Sequence, residues 1–153
     1  MVSSTHWLAS ATGMAVLERG GNAFDAAVAA GFVLQVVEPH LNGPGGEAPI
    51  LAAPAGEGRV LVVNGQGPVA AAATIERVAD LGLDLIPGTG LLPACVPGAF
   101  GAWMLLLRDH GTLRLRDVLE PAIGYAQDGF PALPRIGAAV GAVERLFREE
   151  YRS

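Results

Sequence analysis

The stretch Leu17-Glu18-Arg19-Gly20-Gly21-Asn22-Ala23-Phe24-Asp25-Ala26-Ala27-Val28-Ala29-Ala30 decides the architecture of this chain. Upstream of it, Ala11, Met14, Ala15 and Leu17 recur at helical spacing, and Arg19 falls in the last turn before Gly20 and Gly21. A glycine there closes a helix in the left-handed conformation at little steric cost. Asn22 then offers an N-cap oxygen, and Asp25 three residues on completes a capping box with Asp in place of Glu. The second helix runs from Phe24 to Val37, where Pro39 ends it, and it is apolar nearly all round. Such a helix is buried on several sides, and a small domain rarely has room to enclose one completely.

Working outward, Leu41-Asn42-Gly43-Pro44-Gly45-Gly46-Glu47 is a turn-rich loop. Two short apolar segments follow, Pro49 to Ala53 and Arg59 to Val63, separated by Pro54-Ala55-Gly56-Glu57-Gly58. That pattern predicts a β-hairpin with a five-residue connection. Asn64-Gly65-Gln66-Gly67-Pro68 leaves the second strand as irregular backbone that reads as a turn, Thr74 caps a short helix through Asp80, and Leu81 to Pro93 is a loop. A helix entered through Pro97 puts Phe100, Trp103, Met104 and Leu107 on one face and stops at Gly111. Another spans Arg116 to Gln127 and should bend at Pro121. A last one runs from Ile136 to Tyr151, with Glu144 and Arg148 placed for an i,i+4 pair. The fold class is thus α+β. A lone hairpin is marginal by itself and needs strands on its open edges, so residues 1–153 read as one piece of a larger domain.

The 153 residues are 51% hydrophobic and 16% charged with a net charge of −5, which excludes extensive disorder. The ten basic residues are all Arg, spread from Arg19 to Arg152 and outnumbered by acids, so no nucleic-acid partner is expected. The longest apolar run, Ala26 to Val37, is well short of the roughly 20 residues of a membrane span. No signal peptide follows Met1, which predicts a cytoplasmic protein; a leader preceding Met1 would instead make it periplasmic or secreted.

Candidate chemistry is sparse. His6, His40 and His110 stand far apart and read as capping or surface residues, so neither a metal nor a cofactor is expected. No G-x-S-x-G occurs, and Ser3-Ser4-Thr5-His6 fits helix N-capping better than a catalytic triad. Cys95 precedes Val96-Pro97-Gly98 at a helix entrance, where a thiol pKa can fall, yet its apolar neighbours favour a buried structural role. Trp7 and Trp103 read as core or interface residues. Gly43-Pro44-Gly45-Gly46 could form an anion nest, but it lacks the Lys of a phosphate loop; its glycines are expected to let two backbones pass closely.

The order of several blocks carries more. Ser4-Thr5-His6-Trp7-Leu8-Ala9-Ser10, the stretch Leu17 to Ala30, Val37-Glu38-Pro39-His40 and Asn42-Gly43-Pro44-Gly45-Gly46 resemble the opening of the γ-glutamyltranspeptidase family. Ala71-Ala72-Ala73-Thr74, Val96-Pro97-Gly98 and Glu120-Pro121-Ala122-Ile123 with Ala126, Gly129 and Phe130 continue the match in order. The resemblance implies part of an N-terminal-nucleophile (Ntn) hydrolase, an αββα sandwich whose precursor cleaves itself into large and small subunits. The Thr exposed at the start of the small subunit is then the nucleophile and its α-amine the base. By this resemblance the chain is the N-terminal part of the large subunit and holds no catalytic residue. Its partners are the rest of the large subunit and the small subunit, and the substrate is a small γ-glutamyl or related amide.

One position departs from the family's pattern. Typical members continue the second strand into Asp-Phe-Arg-Glu-Thr-Ala-Pro, whose Arg grips the substrate α-carboxylate. Counted back from Thr74, that stretch falls on Asn64 to Ala70 and the Arg on Gln66. A neutral amide cannot reproduce a bidentate guanidinium–carboxylate pair. Gln66 is therefore the substrate-binding candidate of a divergent member with weakened γ-glutamyl recognition or a different amide substrate. The alternative is a stand-alone, non-catalytic interaction module derived from the same family; a small hydrolase using Cys95 ranks third.

Overall fold

The computed structural model describes residues 1–88 and 90–149, which form two compact units. The first comprises Met1–Gly43 and the chain from Trp103 onward, the second Pro44–Ala102. Among the described residues no helix is long and apolar enough to cross a membrane.

The first unit is helical. Helix α1 (Trp7–Glu18) is capped by His6, whose Nδ1 accepts the Leu8 N–H at 3.2 Å. It ends at Arg19, and Gly20 follows with φ +92°, the left-handed closure the glycine pair predicts. The face it buries is Leu8, Ala9, Thr12 and Val16. Helix α2 (Ala23–Val37) opens on the expected capping box, with Asn22 Oδ1 accepting from the Phe24 and Asp25 N–H groups while Asp25 accepts from that of Asn22. It packs against α1 and against α5 (Leu115–Asp128), burying Ala26, Val28, Ala29, Val33 and Val37. Helix α5 continues through Pro121.

Asp25 does more than cap. Its side chain is buried, and besides Asn22 N–H it accepts the Thr112 N–H at 2.9 Å, the Thr112 hydroxyl at 2.6 Å and the Leu113 N–H at 3.1 Å. Asn22 Nδ2 donates to the His110 carbonyl at 2.7 Å. One carboxylate thereby ties the start of α2 to a turn 87 residues away. A second polar knot surrounds Glu38, also buried, which accepts from the Thr5 hydroxyl and pairs with the Arg135 guanidinium.

The second unit carries the hairpin. Strand β1 (Ile50–Ala52) pairs antiparallel with β2 (Leu61–Val63) in the register Ile50↔Val63 and Ala52↔Leu61. Helix α3 (Ile75–Asp80) is capped by Thr74 as expected, its hydroxyl accepting the Arg77 N–H. Beyond β2 the backbone is irregular, with the Gly65 N–H bonding back to the Val63 carbonyl at 3.0 Å, and it runs between two other backbones: the Ala48 N–H donates to the Gly65 carbonyl at 3.0 Å and the Val96 N–H to the Pro68 carbonyl at 3.0 Å. A Cβ on Gly67 would lie 1.3 Å from the Val96 carbonyl oxygen, and one on Gly65 2.1 Å from that of Ala48. The close backbone passage thus occurs here and not at Gly43 or Gly45, where a side chain would meet open space.

Several expectations need correction. The final helix is two: α6 (Pro134–Ala142) and α7 (Glu144–Glu149), separated at Val143. The Val143 N–H bonds the Gly141 and Val140 carbonyls, a tightened turn that two weak helix formers, Gly137 and Gly141, do little to resist. The Glu144–Arg148 pair forms at 2.7 Å, and the expected end at Tyr151 lies outside the described residues. Helix α4 (Ala99–His110) stops as predicted, but Phe100 is half exposed; Ala99, Ala102, Leu106 and Leu107 are the buried positions. Trp7 is 59% exposed and so not core, whereas Trp103 is half buried with its ring against Gly31.

Two outcomes follow. Burial alone would raise the Asp25 pKa, but the hydrogen bonds from Thr112, Asn22 and Leu113 outweigh it and hold the carboxyl below the usual aspartate value. The folded state then binds fewer protons than the unfolded one, so this stabilisation is fully present above about pH 4 and is lost as pH falls through the depressed value. In urea titrations at neutral pH, Asp25→Ala should cost about 2 kcal/mol by removing the acceptor of four part-buried donors, and the deficit against wild type should shrink on acidification. Gly67→Ala should cost more than about 3 kcal/mol because backbone meets the new methyl, while Gly45→Ala should stay within about 0.5 kcal/mol.

Candidate functional site

The irregular exit from β2 carries the candidate residue. Along Asn64–Pro68, Gly65 is buried and Gln66 exposed, so the glycines face the neighbouring backbones and the Gln66 side chain points outward. The Gln66 backbone N–H donates to the Asn64 side-chain Oδ1 at 3.3 Å, an Asx-type turn bond. Gln66 Nε2 donates to Glu47 Oε2 at 3.2 Å. That contact follows from the hairpin register, which continues past Ile50↔Val63 through the Ala48–Gly65 bond and sets Glu47 beside Gln66.

The amide's orientation needs no assumption about which terminal atom is nitrogen. A carboxylate only accepts, so Nε2 must face Glu47 and Oε1 must face away. Both side chains then offer oxygen atoms to any visiting group. Glu47 makes no ion pair among the described residues; of the two arginines in this unit, Arg59 pairs with Glu57 at 2.8 Å and Arg77 is elsewhere on α3. Glu47 is the residue that reading the sequence missed. Its signal was the register of the hairpin, legible once Ala48 is placed opposite Gly65.

The other candidates resolve differently. The first N–H groups of α4 do not form an open anion site, because Gly98 and Ala99 both donate to the Gly46 carbonyl, at 3.2 and 3.0 Å. Cys95 is half buried and not enclosed, against expectation, with its thiol 3.8 Å from the Pro93 carbonyl. No histidine occurs in residues 44–102 to act as its base. Among the described residues no cluster of three or more His, Cys, Asp or Glu is placed to hold a metal ion. His6 caps α1, as expected of a capping histidine, but it is buried with Nε2 unpaired among the described residues. His110 stacks on Phe24 with ring centroids 4.9 Å apart.

The second unit also exposes much apolar surface. Leu51 and Val62, cross-strand partners on one hairpin face, are 77% and 70% exposed. Val60, Val69, Ile75 and Leu91 are exposed as well. Apolar cross-strand partners left as open as Leu51 and Val62 offer a surface that further polypeptide could cover.

Comparison with known proteins supplies a frame for these features. The family model described as gamma-glutamyltranspeptidase matches residues 9–153. A glutathione hydrolase-like YwrD proenzyme of Bacillus subtilis is 45% identical over 132 residues, 86% of this chain and 25% of the relative. A solved structure of LmbA2991 is 63% identical with a TM-score of 0.94, covering 97% of this chain and 26% of that one. Helicobacter pylori gamma-glutamyltranspeptidase is 32% identical with a TM-score of 0.89, over 99% of this chain and 44% of that one. The chain thus spans about a quarter of the length of the curated relatives it matches. Helices with one two-stranded antiparallel sheet, superposing on such structures, are part of the Ntn-hydrolase sandwich. On this sequence match and this shared architecture, the chain belongs to the γ-glutamyltranspeptidase family, whose N-terminal part it represents.

Proposed function

We propose that this chain contributes scaffold helices, two sheet strands and one wall of the acyl-donor pocket to a γ-glutamyltranspeptidase-like amide hydrolase or acyltransferase. The observation that carries the reading is the match of residues 9–153 to a family whose curated relatives are proenzymes about four times as long. The exposed apolar hairpin face supports it, since further sheet strands and the small subunit would cover that surface.

The chemistry belongs to polypeptide beyond these residues. A threonine at the start of the small subunit attacks the amide carbonyl while its own α-amine takes the hydroxyl proton. The same amine returns that proton to the departing nitrogen, leaving an acyl-enzyme. Water or an amino group then attacks the ester, its proton passing to the α-amine and on to the threonine oxygen as it leaves. Within this scheme the chain's share is recognition. Gln66, at the position of the family's carboxylate-binding Arg, offers an amide in place of a guanidinium. It weakens the grip on a glutamyl α-carboxylate and opens the pocket to other amides.

The full-length polypeptide, expressed and purified, should mature into two subunits, the smaller beginning with Thr by mass spectrometry, and should hydrolyse a γ-glutamyl or related amide. Residues 1–153 alone should show no turnover. A full-length product that neither matures nor hydrolyses any such amide would sink this reading. A 1–153 product that melts cooperatively as a monomer and captures a partner without catalysis would favour the interaction module.

A further inference from the structure

We propose that Glu47 reverses the polarity of the donor-recognition position, so that the pocket prefers an acyl donor presenting a hydrogen-bond donor there, an ammonium or an amide N–H, over one presenting a carboxylate. This rests on the reading that Gln66 lines the acyl-donor pocket, and it deepens that reading by naming the substrate class. A guanidinium would offer five N–H groups and a positive charge. The pair observed instead directs one of the two Gln66 N–H groups into Glu47, and presents outward Gln66 Oε1 together with the second Glu47 oxygen. A visiting carboxylate could take the one Gln66 N–H left over, but beside it would meet two acceptors and a like charge that no cation among the described residues neutralises; like charges brought together across a binding surface discriminate strongly against that ligand. An ammonium or amide N–H would instead find two oxygens.

The arrangement is anchored by the fold. Glu47 and Gln66 project from two backbones joined by the Ala48–Gly65 bond, and Gly65 and Gly67 pack closely on the Ala48 and Val96 carbonyls. A substrate could not easily push the two side chains' backbones apart to escape the negative charge. Gln66→Arg alone would not restore carboxylate binding, because the new guanidinium would pair with Glu47 at the distance now spanned by the amide.

The test uses the matured full-length protein and two p-nitroanilide donors that differ only in bearing an α-carboxylate or an α-carboxamide on the glutamyl group. The ratio of kcat/KM for the carboxylate to that for the carboxamide should rise about three- to tenfold in Glu47→Gln. Gln66→Arg should raise it substantially only when combined with Glu47→Gln. In wild type the same ratio should climb with salt, as screening weakens the repulsion, a measurement that stands if a variant fails to mature. A ratio unmoved by Glu47→Gln, or in its absence by salt, overturns the inference while leaving the amide-hydrolase reading intact. If the matured protein turns over neither donor nor any other amide, that reading fails and this inference falls with it.

Discussion

Backbone pressed on backbone at Gly67 is the constraint on which the candidate site depends. No side chain larger than hydrogen fits at a point 1.3 Å from the Val96 carbonyl oxygen, so residues 64–68 run between two other segments and not over them. The same packing explains why the Gly65 and Pro68 carbonyls are satisfied by the Ala48 and Val96 N–H groups, and why Gln66, between two confined glycines, is left exposed. A strand exit normally owes its usefulness to mobility. Here it owes it to being fixed, which is what a recognition group needs if it is to discriminate between ligands of similar shape.

In the helical unit the equivalent role falls to a buried charge. Asp25 is buried, and three backbone N–H groups and a hydroxyl point at its carboxylate and hold its pKa below the usual aspartate value against the effect of burial. The donors come from the helix's own first turn and from residues 112 and 113, so local capping and tertiary closure share one group. That economy lets α2 be apolar nearly all round, since it needs no polar face to set its orientation against α1 and α5. Glu38, with Thr5 and Arg135, does the same at the other end of α2.

What could be read from the sequence was whatever is decided within a few residues. The Asn22–Asp25 box, the Gly20 closure, the Thr74 cap, the hairpin and the Glu144–Arg148 pair each follow from side chains and backbone groups that are neighbours along the chain. What escaped was decided at long range. The glycines at 43 and 45 and those at 65 and 67 look alike in sequence, and only the passage of residues 46–48 and 96–98 separates open space from collision. Phe100 and Trp7 have core-like side chains on surfaces whose covering is not local. Asp25 was legible as a cap but not as an anchor for Thr112, and His6 as a cap but not as buried. The break at Val143 turns on a local balance between weak helix formers too fine for spacing alone to resolve.

Glu47 shows how the two kinds of information combine. Register is a local property, because antiparallel pairing makes the two residue numbers sum to a constant, and 50 with 63 implies 47 with 66. The consequence is not local: it places an acidic group against the one position where the family resemblance puts an arginine. A guanidinium at 66 would have found Glu47 within reach and formed an ion pair. The neutral Gln66 leaves the carboxylate's charge uncompensated among the described residues, a cost that solvent lowers while the face is open and that grows as covering polypeptide excludes water. A ligand that supplies the missing positive or N–H character would lower it again. On the proposal that Gln66 lines the donor pocket, the residue at 66 and the acid at 47 act together, as one site whose preferred ligand has changed sign, and not as a recognition arginine simply lost.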